Sequence, residues 1–264
     1  MLLAIDVGNT ETKLGCFDAG GELLARWRVT TELRRTPDEY GVFFTQLFAT
    51  GGVEVSSIDG VVVASVVPKL DNTLADVCDK FFSVRPYFLE PQNQTLIEIR
   101  TDRPAEVGAD LVAAAIGGRQ RYGAPLIVVS YGTASVFTAI SSQGEYLGVA
   151  IAPGINISID ALVSRTAKLP QVALEAPPSA IGKDTVSALQ SGIVYGFVGQ
   201  TEALVARMKR EIGDDAKVVA TGGLAQVVAR HTTCIDAVEP FLVLHGLQRY
   251  FAEGATQGSR EVHA

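Results

Sequence analysis

The sequence has few of the residues that build disulfide-stabilised or zinc-dependent scaffolds. Its 264 residues include three cysteines and three histidines, and no two cysteines show Cys-x-x-Cys spacing. An odd number of scattered cysteines argues against a disulfide framework, and a structural zinc site would lack its ligands. We therefore expect a protein of a reducing compartment whose core forms by apolar packing.

The sequence also lacks an excess of positive charge and a long uncharged apolar run. The formal net charge is −7, which disfavours binding to nucleic acid or to an anionic membrane surface. No apolar stretch is long enough to span a bilayer, and Met1–Ile5 leads into Asp6 without the basic start of a signal peptide. The expectation is a cytoplasmic protein with small-molecule partners, and with neither nucleic acid nor membrane among them.

What the sequence does contain is a strand–turn–strand pattern that occurs twice. Leu2–Val7 is an apolar run that ends at a glycine, and two further strand-like runs follow as far as Val29. The same outline returns between Leu126 and Ile151. Internal similarity of this kind indicates a duplicated architecture. We expect two related α/β domains, residues 1–117 and 118–264, with a cleft between them.

Strands and helices are expected to alternate in the rest of the chain. Gly60–Ser65 is a continuous β-branched run, typical of a strand buried on both faces. Ala109–Arg121 is alanine-rich and predicts a helix. Further strands are expected at 85–89 and 217–220, and further helices at about 36–48, from Lys69 onward, and at about 157–162, 184–211 and 223–229.

The first strand ends in residues suited to holding phosphate, Asp-Val-Gly-Asn-Thr-Glu-Thr-Lys over Asp6–Lys13. Backbone N–H groups of a glycine turn can bind phosphate oxygens. Asp6 can hold Mg²⁺ through water, because that ion dehydrates reluctantly and needs few carboxylates. Lys13 can neutralise a phosphate oxygen. The alternative reading is an ordinary hairpin turn with a surface lysine.

Two further glycine turns follow strands later in the chain. Ser130–Ala134 (Ser-Tyr-Gly-Thr-Ala) has the place in the second repeat that Asp6–Lys13 has in the first. Ala220–Ala225 (Ala-Thr-Gly-Gly-Leu-Ala) follows a strand and begins a helix, where paired glycines let a flat ring approach the backbone. Each segment alone could be a turn or a helix start. Gly182-Lys183 is not a P-loop, because the upstream glycine and the following Ser or Thr are absent.

These three segments resemble the two phosphate motifs and the adenosine motif of the actin-like ATPase and sugar kinase superfamily, which includes acetate kinase and hexokinase. Within it, an ordered set of motifs over essentially the whole chain resembles type III pantothenate kinases. The motifs are Asp6–Thr10, Ser65–Pro68, Val107–Asp110, Ile151–Gly154 and Ile181–Thr185 with Gln190–Gly192.

The resemblance implies two ribonuclease H-like domains with a nucleotide cleft between them, and a homodimer. It also implies ATP-dependent phosphorylation of pantothenate, the first step of coenzyme A biosynthesis. Asp110 would accept the proton of the primary hydroxyl, and helix capping is the alternative role for this aspartate. ATP with Mg²⁺ would be bound by Asp6, Val7, Gly8, Asn9, Thr10, Glu11, Thr12, Lys13 and Thr133, with Gly222 and Gly223 at the adenosine. Pantothenate would be bound by Gly108, Ala109, Asp110, Leu111 and Thr185.

Three positions depart from the family's usual residues. Leu111 stands where an arginine follows Gly-Ala-Asp, Thr101 where a tyrosine precedes that motif, and Ser130 where an aspartate is associated with a monovalent cation. A hydroxyl does not replace a carboxylate in holding a cation, so we expect stimulation by K⁺ or NH₄⁺ to be altered or absent. A lost charge-assisted contact costs about 1.5–3 kcal/mol, which would weaken pantothenate binding. The arginines that could supply the missing charge are Arg100, Arg103 and Arg119.

Two other functions stay open at this point. One is a kinase of the same scaffold with a different small hydroxyl acceptor, since two of the departures fall at the acceptor motif. The other is a catalytically weak paralogue that binds nucleotide and acts as a regulator. The apolar helix from Thr185 to Val205 is either ordinary core or part of the expected dimer interface.

Overall fold

The computed structural model describes residues 1–166 and 168–261, with the side chains of the last helix described as far as Gly254. The chain forms two compact units, and each contains one five-stranded mixed sheet. The first unit comprises residues 1–97, 102–117 and the C-terminal segment from Leu242, and the second comprises residues 98–101 and 118–241. The last helix therefore joins the first unit, whereas a division at residue 117 assigns it to the second.

The first unit has the strand order β3-β2-β1-β4-β5. Its first three strands are an antiparallel meander, and β4 and β5 continue the sheet parallel to β1. Every residue of β1 is buried, as expected for a strand covered on both faces. The elements are β1 (Leu2–Val7), β2 (Glu11–Phe17), β3 (Leu23–Thr30), α1 (Pro37–Thr50), β4 (Gly60–Ser65), α2 (Pro68–Val77), β5 (Tyr87–Phe88) and α3 (Ala109–Tyr122).

The second unit repeats this arrangement with the order β8-β7-β6-β9-β10. Again three antiparallel strands are followed by two parallel ones. The duplication expected from the strand–turn–strand pattern is thereby confirmed. The elements are β6 (Leu126–Tyr131), β7 (Ala134–Ile140), β8 (Tyr146–Pro153), α4 (Ile155–Ser164), α5 (Thr185–Ile212), β9 (Lys217–Thr221), α6 (Ala225–Ala229) and β10 (Ala237–Val238).

Helix starts follow the capping chemistry of the sequence. Thr36 caps α1 in a capping box, in which its backbone N–H donates to the Glu39 carboxylate at 2.7 Å and its hydroxyl accepts the Glu39 N–H at 3.3 Å. Asp184 caps α5 by accepting the N–H of Ser187 at 2.9 Å. These two helices begin within a residue or two of where they were expected, because the caps are local.

The final helix, α7 (Leu242–Glu261), and the short strand β10 were not expected from the sequence. Helix α7 packs against the first sheet and lies backbone to backbone with α3. A methyl group at Gly246 would lie 1.8 Å from the Ala113 carbonyl oxygen, and one at Gly117 would lie 2.5 Å from the Leu242 carbonyl oxygen. This glycine contact anchors the helix that carries Asp110 in its first turn.

None of the helices in the described part of the chain combines the length and the apolar character needed to cross a membrane.

Candidate active site

The turn between β1 and β2, Gly8–Thr10, is named loop 1. Its base is closed by the Gly8 N–H, which donates to the Glu11 carbonyl at 3.0 Å. The two following residues, Asn9 and Thr10, are exposed at the tip. A methyl group at Gly8 would lie 2.9 Å from that carbonyl, so glycine permits the close approach that the loop requires.

Asp6 and Lys13 face each other across the base of loop 1. The register of β1 and β2 pairs them directly, and Lys13 Nζ lies 3.2 Å from Asp6 Oδ2. Asp6 is only 4% exposed. Burial raises the pKa of the Asp6 carboxyl above its usual range, while the charge and the hydrogen bond of Lys13 oppose that rise. In this pair, the ammonium group of Lys13 only partly compensates the charge of the buried Asp6 carboxylate.

Asp110 belongs to the same electrostatic cluster, although it is about a hundred positions away in the sequence. It is the second residue of α3, is partly buried, and its Oδ1 accepts the Leu111 N–H at 2.9 Å. Burial raises the pKa of Asp110 to about 6, the negative charge of Asp6 adds to the rise, and the Leu111 N–H and Lys13 oppose it. Such a carboxyl is ionised at neutral pH and basic enough to accept a proton from a reacting hydroxyl.

Asp110 does not occupy the capping position of its helix. The first carbonyl to accept helical hydrogen bonds is that of Gly108, from the N–H groups of Leu111 and Val112, both at 3.1 Å. The cap residue is thus a glycine without a side chain. A methyl group there would lie 2.6 Å from Asp110 Oδ1, so Gly108 leaves room for the carboxylate.

The turn between β6 and β7, Gly132–Thr133, is named loop 2. Ser130 pairs with Val136 there, one residue before the end of β6, just as Asp6 pairs with Lys13 one residue before the end of β1. Both residues of loop 2 are exposed. Loop 2 therefore has the frame of loop 1 without its charged pair.

Two glycines at the ends of other strands contact the backbone around loop 2. A methyl group at Gly154, just after β8, would lie 2.2 Å from the Thr133 carbonyl oxygen. One at Gly222, just after β9, would lie 2.3 Å from the Tyr131 carbonyl oxygen, and Gly222 has φ +94°. Packing against Tyr131 thus already requires glycine at position 222, whatever binds beside it.

The remaining predicted site residues lie on both units. Thr185 is the exposed first residue of α5, and Gly223 is exposed between β9 and α6. Ala109 is buried and Leu111 partly buried at the start of α3. Val7 and Thr12 are buried at the base of loop 1.

Two of the arginines that could have supplied the charge missing at Leu111 are paired with carboxylates. Arg100 lies 3.1 Å from Glu98 and 2.9 Å from Glu145. Arg103 lies 3.0 Å from Glu106. Thr101, where a tyrosine was expected, buries its hydroxyl with no hydrogen-bond partner among the described residues.

One residue near loop 1 was missed by sequence reasoning. Thr31, directly after β3, donates its backbone N–H to the Thr10 carbonyl at 3.0 Å and its hydroxyl to the Gly8 carbonyl at 2.7 Å. The signal that could have revealed it is the meander itself, because the end of a third antiparallel strand must lie beside the first turn.

The carboxylates present fit a hydrated Mg²⁺ better than a metal held by protein ligands alone. The described residues contain no group of three or more His, Cys, Asp or Glu side chains that could hold a metal ion. Mg²⁺ commonly keeps several waters and binds through one or two carboxylates together with substrate phosphates. Asp6, buried with its charge only partly compensated, has the chemistry for that role.

Comparison with known proteins identifies the family. The model of the type III pantothenate kinase family matches residues 2–207. The type III pantothenate kinase of Moorella thermoacetica is 50% identical over 248 residues, which are 94% of this chain and 97% of that protein. The corresponding protein of Myxococcus xanthus is 49% identical over 248 residues, 94% of this chain and 96% of its own.

A solved structure with low sequence identity shows how widely the fold is shared. The putative 2-dehydro-3-deoxygalactonokinase of Sinorhizobium meliloti has a TM-score of 0.62 at 14% identity and covers 96% of both chains. The chain thus has the two-domain fold of the actin-like ATPases and sugar kinases, and by the family match and the two curated relatives it belongs to the type III pantothenate kinase family.

Proposed function

We propose that this protein transfers the γ-phosphoryl group of ATP to pantothenate and so forms 4'-phosphopantothenate, the first step of coenzyme A biosynthesis. The observation that carries the proposal is the Asp110 carboxyl, with its pKa raised to about 6, in one cluster with Asp6 and Lys13. Family membership supplies the acceptor, and the cluster supplies the chemistry that a kinase needs.

In this proposal Asp110 takes the proton of the primary hydroxyl as the hydroxyl oxygen forms its bond to the γ-phosphorus. The bond from that phosphorus to the bridging oxygen breaks, and ADP leaves with the electron pair. Asp6–Lys13 and Thr133 bind the phosphates, and Gly222 and Gly223 bind the adenosine. Mg²⁺, held by Asp6 through water, would neutralise charge on the phosphates.

The acceptor would be bound by the segment around Asp110 and by Thr185. Gly108 leaves space for the reacting carboxylate. We propose no K⁺ or NH₄⁺ site, because Ser130 provides no carboxylate.

The direct test is ADP release by the purified protein in a coupled assay, with and without pantothenate. We expect ADP release to depend on pantothenate, and to vanish with a pantothenate analogue that lacks the primary hydroxyl. Asp110→Asn should retain ATP binding and lose turnover. ATP binding without any pantothenate-dependent ADP release would contradict the proposal and favour a nucleotide-binding regulator.

One observation favours a second candidate, a kinase of the same fold with another hydroxyl acceptor. Leu111 replaces the expected arginine, and the neighbouring Arg100 and Arg103 are already paired with carboxylates. Neither of these two arginines is thus free to supply the charge expected at position 111 for the pantothenate carboxylate. A panel of small hydroxy compounds in the same assay distinguishes the candidates, because a higher kcat/KM for a neutral acceptor than for pantothenate would favour the second.

We propose that the protein works in the cytoplasm. Its three cysteines are free thiols, and burial raises the pKa of Cys16 to about 11 and of Cys78 to about 12. Buried thiols of this kind are inert and suit a reducing compartment. Fractionation of the producing cell checks this, and enrichment of the protein in a membrane or secreted fraction would contradict it.

We also propose a homodimer, with the outer face of β8 as its contact surface. Leu147, Val149 and Ile151 alternate along this edge strand and are 39%, 39% and 67% exposed. The apolar residues of α5 that had suggested an interface lie mainly in the core, as Leu189 and Ile193 show. Ile151→Glu should shift the protein to a monomer in light scattering. An unchanged mass would contradict this surface.

A further inference from the structure

Thr31 joins loop 1 to the neighbouring strand through a chain of hydroxyl groups. Its hydroxyl donates to the Gly8 carbonyl at 2.7 Å, and its Oγ1 lies 2.9 Å from the Oγ1 of Thr12. A threonine hydroxyl carries a single proton. Because the Thr31 proton points to Gly8, the Thr12 hydroxyl must be the donor to Thr31. Thr12 itself is only 2% exposed.

This chain determines the direction in which loop 1 presents its backbone donors. In a planar trans peptide, the carbonyl of one residue and the N–H of the next point in opposite directions. The Gly8 carbonyl is directed at Thr31, so the N–H of Asn9 points away from Thr31. The Thr10 carbonyl accepts the Thr31 N–H at 3.0 Å, so the N–H of Glu11 also points away from it.

We infer that Thr31 is a positioning residue for the phosphates of ATP. It orients the N–H groups of Asn9, in loop 1, and of Glu11, the first residue of β2, as anion donors without contacting the nucleotide itself. Phosphate-binding loops depend on such preoriented donors. This inference rests on the proposed function to the extent that loop 1 binds ATP.

The second unit shows that the fold does not require this series of hydroxyl hydrogen bonds. Thr30, the last residue of β3, pairs with Glu11, and Pro153, the last residue of β8, pairs with Ala134. The counterpart of Thr31 is therefore Gly154, which has no hydroxyl. Ser135, the counterpart of Thr12, is fully buried and its hydroxyl has no hydrogen-bond partner in the described part of the chain.

The experiment compares Thr31→Val, Thr31→Ser and the parent protein. Dissociation constants are measured for Mg²⁺ with a non-hydrolysable ATP analogue in the absence of pantothenate, and KM and kcat are measured separately. Val keeps the shape of the side chain and removes the hydroxyl. We therefore expect the dissociation constant for the analogue and the KM for ATP to rise about tenfold. kcat at saturating ATP should stay within about threefold, and Ser should restore binding to within about twofold.

The matched control is Thr30→Val, one residue earlier on the exposed face of β3. It should bind the analogue as the parent does. Binding by Thr31→Val within twofold of the parent would overturn the inference. So would a Ser variant as weak as the Val variant, because the methyl group would then be the determinant.

Two further measurements keep the inference separate from folding and from the proposed reaction. Should Thr31→Val fail to fold, Thr12→Val removes the donor to Thr31 and is expected to weaken binding about threefold; unchanged binding would overturn the inference. Weaker analogue binding in a protein that does not phosphorylate pantothenate would support the role of Thr31 and contradict the proposed function. Pantothenate-dependent turnover by the parent, together with unchanged analogue binding by Thr31→Val, would support the proposed function and contradict the role of Thr31.

Discussion

Loop 1 and loop 2 connect strands that pair in the same way, but charged residues flank only loop 1. At corresponding positions of the flanking strands, Asp6 pairs with Lys13 beside loop 1, whereas Ser130 pairs with Val136 beside loop 2. Hydrogen bonds from a threonine hold loop 1, and loop 2 is contacted by the backbone of a glycine. The comparison teaches that the two units share the strand pairing around the turn, although loop 2 is one residue shorter, and that only the first unit has charged residues there.

The charge in the first unit has a cost that the second unit avoids. Asp6 and Asp110 each have a raised pKa, chiefly because burial disfavours the ionised form. Buried carboxylates that are incompletely paired destabilise a fold, and they persist where a ligand or a reaction uses them. The corresponding position of the second unit, Ser130, carries no ionisable group.

The largest expected effect is from neutralising the first unit's reactive carboxyl. Asp110→Asn should lower kcat by about 10²–10⁴-fold, the usual contribution of a general base, while the dissociation constant for the ATP analogue stays near that of the parent. Asp102→Asn, at an exposed aspartate of the same unit, is the control and should be silent. A kcat within fivefold of the parent would mean that another group accepts the proton.

Asp110→Asn should also be more stable than the parent at neutral pH. The pKa of Asp110 is about 6 in the folded protein, against 3.8 for an unperturbed aspartate. The folded state binds more protons between these values, so the carboxyl destabilises the fold progressively as pH rises through this window. The melting temperature of Asp110→Asn should exceed that of the parent above pH 6, with the difference gone near pH 4.

Adding a methyl group beside loop 2 tests its glycine contact. Gly154→Ala places a carbon 2.2 Å from a backbone oxygen of loop 2, which cannot move as a side chain can. We expect a loss of about 1–3 kcal/mol of stability and about a tenfold rise in the KM for ATP. Gly199→Ala in α5, where the added methyl meets nothing within 4 Å, should stabilise by about 0.5–1 kcal/mol. Equal effects of the two substitutions would show that loop 2 tolerates displacement.

Lowering the pH should reduce kcat/KM, because it protonates Asp110, the carboxylate in the cluster with Asp6 and Lys13 beside loop 1. The ionised form of Asp110 is the active base, and its pKa is about 6, so kcat/KM should fall about tenfold per pH unit below that value. Protonation of Asp6 would steepen the fall. The residual kcat/KM of Asp110→Asn should not show this fall with pH. If kcat/KM of the parent stayed constant down to pH 5, Asp110 would not be the base.

The smallest expected effect comes from placing a carboxylate beside loop 2, at Ser130 on β6. The parent should be equally active with and without K⁺ or NH₄⁺, and Ser130→Asp should gain a severalfold stimulation by one of them. Ser130→Asn matches the size of the new side chain without its charge and should gain none. A strong K⁺ requirement in the parent would show that Ser130 does not abolish the cation site.

Local patterns made much of the fold predictable. The apolar runs ending at Gly8 and Gly132 predicted both meanders, and Thr36-Pro37 predicted the start of α1, because turns and caps depend on neighbouring residues. The strand β10 and the helix α7 were missed. No strand pattern was recognised at Ala237–Val238, which lie between Asp236 and Glu239. Gly246 inside α7 is unfavourable for a helix until its contact with α3 is known.

By itself, the sequence determined the duplicated α/β architecture, the two glycine turns, the absence of charge at Ser130 and the family. Only the tertiary structure brought Asp110 into the cluster of Asp6 and Lys13 and set Thr31 against loop 1. The raised pKa values and the hydroxyl chain depend on distances between residues far apart in the sequence. Burial and hydrogen-bond direction are properties of the packed chain, and no local pattern encodes them.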